Sequence, residues 1–116
     1  MAAMSTALTE FDDSRNSRTW ILADHSVMKP RVVIQHRTVP QGSAASNIAK
    51  TSVKVVYGTA DTDGNPLEQK VSFEVVPRYP QGADPADIAA ALAILRDIVA
   101  SDEFASTVTT QGYLKA

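Results

Sequence analysis

Three short segments place cations and hydrogen-bonding groups at alternate positions. In RVVIQHR, residues 31–37, Arg31, Gln35 and Arg37 alternate with Val32 and Ile34. KTSVKVVY, residues 50–57, sets Lys50, Ser52 and Lys54 against Thr51, Val53, Val55 and Tyr57. KVSFEVV, residues 70–76, sets Lys70, Ser72 and Glu74 against Val71, Phe73 and Val75. Strand side chains point alternately to two faces, so each segment reads as a strand with one polar face. Ammonium and guanidinium groups neutralise phosphates; serine, glutamine and guanidinium also reach phosphates, sugars or unpaired bases. If the register keeps the apolar faces together, Arg31, Gln35, Arg37, Ser52, Lys54, Lys70 and Ser72 share one surface, with Val32 and Ile34 beneath. A solvated antiparallel sheet alternates in the same way.

Charge along the chain is unevenly placed, although composition alone favours a solvated strand face that merely keeps the protein soluble. The net charge is −2, yet no acid lies between Asp24 and Asp61, where Lys29, Arg31, Arg37, Lys50 and Lys54 fall. The C-terminal third reverses this, with Asp84, Asp87, Asp97, Asp102 and Glu103 against Arg96 and Lys115. Such asymmetry suggests a polyanionic partner on one side only.

The 116 residues fit one domain with a modest core, and 44% hydrophobic with 21% charged residues is an ordinary globular composition. With no cysteine, disulfides and thiolate metal sites are excluded. The first residues, MAAMSTALTEFDD, lack the basic start and apolar run of a signal peptide, and no stretch approaches the roughly 20 apolar residues of a membrane span. The expectation is a protein that stays where it is made and meets no membrane.

The elements that must position these residues follow from local signals. The first ten residues and Thr19–Ala23 are expected to pair as a hairpin across DDSRNS, with Glu10, Asp12 and Asp13 flanking the turn. RVVIQHR ends at Pro40, KTSVKVVY follows, and residues 69–76 form a further strand before Pro77. Between the last two, TADTDGNPLE carries the turn signals Asp63-Gly64 and Asn65-Pro66. Asp84-Pro85-Ala86-Asp87 opens a helix: an N-cap aspartate, proline in the first turn, then an acid. Ile88, Ala91, Leu92, Leu95, Ile98 and Val99 recur at helical spacing along it. Ser101-Asp102-Glu103 starts a short second helix through Val108, stopped by Gly112. Strands followed by helices make the class α+β with an antiparallel sheet.

Catalytic and metal-site patterns are weak. Asp61-Thr62-Asp63-Gly64-Asn65 has the opening of a calcium loop, but its glycine is two places early and Ser72 stands where glutamate is needed, so a hairpin turn is the expectation. His36 falls on the apolar side of its strand and reads as a packing residue; His25 sits in a connector with no carboxylate or nucleophile beside it. No nucleophile elbow, triad spacing or glycine-rich phosphate loop occurs. No cofactor, metal or catalytic residue is implied. Trp20 reads either as an interface anchor or as a core residue of the hairpin.

One helix of roughly four or five turns cannot cover a sheet of five or six strands about 4.8 Å apart. The surplus apolar sheet implies a partner, and a symmetric dimer is the simplest one. The stripe Ile88, Leu92, Leu95 and Val99 is then core or dimer interface.

With RVVIQHR, KTSVKVVY, KVSFEVV, the proline break, DPADIAAALAILRDIV and a short helix ending in QGYL, the chain resembles the coat proteins of single-stranded RNA bacteriophages, the levivirus family, best over residues 31–114. The resemblance implies an N-terminal hairpin (1–23), a five-stranded antiparallel sheet (strands within 31–76) and two C-terminal helices (84–110) that interlock as a dimer, in a single coat-protein domain spanning 1–116. It implies a structural protein of the virion, made in the bacterial host cytoplasm, whose homodimers assemble an icosahedral capsid around single-stranded genomic RNA. The family's RNA face carries over to Arg31, Gln35, Arg37, Ser52, Lys54, Lys70 and Ser72, and with it binding of a genomic hairpin that represses replicase translation. Val33 departs from the hydroxyl residue that suits its place, which puts the pocket for an unpaired adenine in question rather than general RNA packaging. Asp61, Asp63, Gly64, Asn65 and Pro66 match the loop that meets its copies between dimers. The competing reading is a small dimeric α+β enzyme or ligand-binding module using the sheet face as a cleft.

Overall fold

A computed structural model describes residues 4–40 and 42–114. Its six strands are β1 (Thr9–Asp13), β2 (Ser17–Ile21), β3 (Arg31–Thr38), β4 (Ile48–Tyr57), β5 (Val71–Val75) and β6 (Arg78–Pro80), followed by α1 (Pro85–Val99) and α2 (Asp102–Thr110). The class is α+β as expected, with all strand pairs antiparallel. The sheet runs β1-β2-β3-β4-β5, and β6 lies beside β5 on the same flank of β4. The N-terminal hairpin is thus continuous with the sheet, because β2 pairs with β3.

The hairpin is shifted from its expected bounds, and residues 1–3 of that expectation lie outside the described residues. Asp12 and Asp13 belong to β1 and Ser17 to β2, leaving a tight turn of Ser14, Arg15 and Asn16. The Ser14 amide donates to the Ser17 carbonyl at 2.8 Å, and Asp13 pairs with Arg18 across the strands at 3.0 Å. The register slips between Glu10 and Asp12, a bulge on the outer edge strand.

Pro77 interrupts a strand rather than ending it. β5 and β6 keep one register along β4, from Tyr57↔Val71 to Ile48↔Pro80. At the break the Thr51 amide still finds an acceptor in the Pro77 carbonyl at 3.1 Å. Proline lacks only the donor, which an edge position does not require.

Both helix starts form as their sequences dictate. The Asp84 side chain accepts from the Ala86 amide at 2.9 Å and the Ser101 hydroxyl from the Phe104 amide at 3.1 Å. The second helix runs to Thr110, two residues beyond Val108, and the left-handed position falls on Gln111 (φ 59°), not Gly112. The Gln111 amide donates to the Thr107 carbonyl at 2.8 Å, an αL-type stop.

No apolar side chain is buried among the described residues. The helices pack on each other rather than over the sheet. The radius of gyration is 17.1 Å, against about 13 Å for a compact chain of this length. The accessible surface is 9057 Å², roughly 3,000 Å² more than its mass predicts for a folded monomer. The chain has secondary structure without a core of its own.

The connector before β3 is held by close backbone approach at Gly58. Its amide donates to the Pro30 carbonyl, and a Cβ added there would lie 2.8 Å from the Pro30 nitrogen and 2.9 Å from Lys29 backbone atoms. Gly58→Ala must push these two backbone segments apart, so it should destabilise the fold by about 1–3 kcal/mol. Urea unfolding of the two proteins measures this; equal midpoints would show that the connector yields freely.

Candidate nucleic-acid interface

Residues directly opposite in an antiparallel ladder share a face. β3 and β4 pair as Arg31↔Tyr57, Val33↔Val55, Gln35↔Val53 and Arg37↔Thr51, alternating with Val32↔Val56, Ile34↔Lys54, His36↔Ser52 and Thr38↔Lys50. β5 continues this phase, with Val55↔Phe73 and Val53↔Val75 on one face and Lys54↔Glu74 and Val56↔Ser72 on the other. The expected common surface therefore divides. Arg31, Gln35 and Arg37 lie on the face of Val53, Val55, Tyr57, Phe73 and Val75. Ser52, Lys54 and Ser72 lie on the opposite one, and Val32 and Ile34 lie beside them rather than beneath.

The polar face built by the register contains His36, Thr38, Lys50, Ser52, Lys54, Ser72 and Arg78, the last opposite Lys50. Its acids are Glu74, directly across from Lys54, and Asp12 on the outer strand β1, opposite Thr19. Neither Lys50, Lys54 nor Arg78 forms an ion pair among the described residues, so their charge is available to a ligand. Ser52, central in the longest strand, is buried to 9% exposure. Sequence reasoning missed Lys50 and Arg78 as site residues; the first shares the alternation of Ser52 and Lys54, whereas the second needed β6 to be recognised as strand. His36 is exposed between Ser17 and Ser52, not packed on an apolar face, because both its cross-strand neighbours are polar.

Lys70 precedes β5, so no ladder partner fixes the face it takes. Arg31 is occupied: it pairs with Asp24, lies 3.9 Å from the centre of the Tyr57 ring, and donates to the Gly58 carbonyl at 3.4 Å. This half-buried guanidinium, with charge compensated and one face stacked, fastens the connector to the sheet. His25 belongs to the same fastening, since its Nδ1 accepts from the Arg31 amide at 3.0 Å. Gln35 donates to the Thr51 hydroxyl at 3.4 Å. Arg37 is exposed and donates to the Arg15 carbonyl at 3.4 Å.

The other face carries the apolar surplus. Val53, Tyr57, Val71, Phe73, Val75 and Tyr79 are all exposed there, between 37% and 45% of their surface. Trp20 shares this face, opposite Val33, and is half-buried. The expected interface stripe is exposed at Leu92, Leu95 and Val99 and half-buried at Ile88. Ile88, Leu92 and Leu95 line an apolar groove together with Val75, Val76 and Tyr79 at the β5–β6 edge.

Asp61, Asp63, Gly64, Asn65 and Pro66 form an exposed loop closed by an Ala60↔Pro66 bridge. The Asp61 carboxylate accepts from the amides of Asn65 at 2.9 Å and Asp63 at 3.0 Å, while Gly64 takes a positive φ of 87°. The loop is an Asx-type turn. No group of three or more His, Cys, Asp or Glu able to hold a metal occurs among the described residues, and no described helix is long and apolar enough to cross a membrane.

In solved structures the same architecture recurs in viral particles. The chain of the virus-like particle of Wenzhou levi-like virus 4 superposes with a TM-score of 0.78 at 14% identity, over 91% of this chain and 75% of that one. That of Beihai levi-like virus 32 gives 0.75 at 16% identity, over 97% and 91%. That of bacteriophage GQ-907 gives 0.73 at 11% identity, over 97% and 87%. No protein-family model and no curated protein matches the sequence. The chain has the fold of these levi-like virus and bacteriophage particle subunits.

The Asn65 amide is the largest cause holding the Asp61 carboxyl below its ordinary value of 3.8; desolvation opposes it and the Asp63 amide adds to it. A depressed carboxyl stabilises the ordered loop above that ordinary value and loses the contribution as pH falls through the lower folded value. The Asp63 and Asn65 amide resonances should therefore titrate together below pH 3.8. Asp61→Asn should remove that step; a variant that keeps it would assign the titration to another group.

Proposed function

We propose that this protein is a capsid subunit of a levi-like RNA virus: a coat protein that dimerises, assembles a shell and holds genomic RNA against one sheet face. The observation that carries the reading is the fold shared with virus-like particle chains over nearly the whole sequence. Electron microscopy of the purified protein with absorbance at 260 nm tests it: shells carrying nucleic acid are expected, and a small soluble protein free of RNA would overturn it. The protein then belongs to the virion and is made in the cytoplasm of a bacterial host.

Dimerisation is supported by what a single chain leaves bare. The exposed face of β4 and β5, the β5–β6 edge and the α1 stripe together are the material of a large, obligate interface. In the dimer each α1 crosses the partner's apolar sheet face. Full burial of one such Leu or Val contributes about 1.5–3 kcal/mol. Leu92→Asp puts an unpaired charge into that interface and should abolish both soluble dimer and shell. Sedimentation checks this, and a well-folded monomer of the unmutated protein at micromolar concentration would refute it.

RNA binding is assigned to the opposite face, through Lys50, Lys54 and Arg78 for phosphates and Ser52 and Ser72 for sugars and bases. A genomic hairpin that represses translation would use this same face. Lys50→Ala with Lys54→Ala removes charge from side chains that fill no core. Dimers should survive, and the dependence of log affinity on log salt should flatten by about 0.7 for each single-strand phosphate that is no longer neutralised. An unchanged slope across a salt series would return this face to the role of a solvated surface. The exposed Asp61–Pro66 loop stands outside the sheet and is proposed to meet neighbouring dimers.

A further inference from the structure

We propose that the turn end of the β1–β2 hairpin, where it meets the end of β3, is a phosphate-binding pocket, separate from the Lys50–Lys54 face. Arg15, Asn16, Arg18, Gln35 and Arg37 line a cavity of about 210 Å³ there. The register places Arg18, Gln35 and Arg37 on one side of β2 and β3, the side opposite Lys50 and Lys54. This gathering exists only in the folded chain, since Arg15 and Arg18 come from the hairpin and Arg37 from the far end of β3.

The pocket is built rather than accidental. The Arg37 amide donates to the Asn16 carbonyl at 2.9 Å and its guanidinium to the Arg15 carbonyl at 3.4 Å. Both bonds tie the hairpin turn to the end of β3. Arg18 uses its Nε on Asp13, leaving its terminal nitrogens free, and Arg15 and Arg37 have no carboxylate partner among the described residues. Three guanidinium groups against one carboxylate leave an uncompensated positive charge, and like charges held close together are unfavourable until an anion joins them. Guanidinium forks approaching from separate elements suit a tetrahedral phosphate group, which accepts charge-assisted bonds from several directions about one centre. The Gln35 amide adds a neutral donor at the wall. The ligand is therefore a phosphate group: inorganic, the terminal phosphate of a nucleotide, or the phosphodiester of RNA.

Equilibrium dialysis of the full chain against radiolabelled inorganic phosphate at fixed ionic strength tests the site. Saturable binding of one phosphate per chain is expected, weakened at least tenfold by Arg15→Ala with Arg37→Ala. Arg37→Lys keeps the charge but loses the fork and should fall between the two, which separates binding from misfolding of the double variant. Lys50→Ala with Lys54→Ala should leave this binding unchanged, so the pocket stands or falls apart from the proposed RNA face. Displacement by a short unstructured RNA identifies the phosphodiester as the source; displacement by adenosine monophosphate alone identifies a terminal phosphate. Non-saturating uptake, uptake indifferent to both arginine substitutions, or uptake lost equally in the lysine variant would overturn the proposal.

Discussion

Eight consecutive residue pairs join β3 to β4, and the phase of that ladder decides which side chains keep company. A slip of one residue would turn every β3 side chain to the other face. In the observed phase Val33 meets Val55 and Gln35 meets Val53, so the apolar side chains of β4 and β5 have Val33 and Trp20 as same-face neighbours. The same choice sets Thr38 and His36 next to Lys50 and Ser52 on the reverse, where the alternation of β4 already gathers Lys50, Ser52 and Lys54. Which β3 side chains join the adhesive face and which the cationic one comes from this single backbone alignment, since β3 alone is compatible with either.

The arginines show how far context overrides residue type. Arg31, which the sequence makes the leading cation of its strand, is spent on Asp24, Tyr57 and Gly58. Arg37, six residues on and on the same face, ends against the hairpin turn with most of its donors free. The two differ because β3 begins beside a folded-back connector that supplies a carboxylate and ends beside a turn that offers only carbonyls. Charge available to a ligand is thus a property of strand ends here as much as of strand faces.

Much of the fold was legible because its signals are local. Asp84-Pro85 and Ser101 cap their helices within three residues, and β4 carries its own alternation of Lys50, Ser52 and Lys54 against Val53, Val55 and Tyr57. The relative phase of β3 and β4 was not legible. β3 is apolar on both sides at Val32, Val33 and Ile34, so its pattern does not mark which face joins the core, and the connection from 39 to 47 is too long for turn geometry to set the pairing. β6 was hidden for another reason: prolines at 77 and 80 read as a break, yet an edge strand tolerates them. The grouping expected for the candidate RNA site was legible only in part for the same reason. Ser52, Lys54 and Ser72 stand together, and Arg31, Gln35 and Arg37 belong to the other side.

The separation of faces bears on how assembly and genome capture coexist under the proposed function. A chain with no buried apolar side chain among its described residues gains little from folding alone, and under the proposed function its stability is tied to protomer concentration. The apolar residues that a second copy would cover are on the Val53, Phe73 and Val75 side and on α1, whereas the unpaired lysines are on the Ser52 side. Dimer formation then removes no cation from the nucleic-acid face, and phosphate neutralisation disturbs no apolar packing. The two interactions respond to opposite conditions: raising salt weakens the second through counterion competition while leaving apolar burial in place. Had the register followed the expected phase, every strand would have shown the same partition but β3 would have placed Trp20's neighbour Val33 among the lysines and Gln35 with them. The observed ladder instead gives the adhesive face its fourth strand.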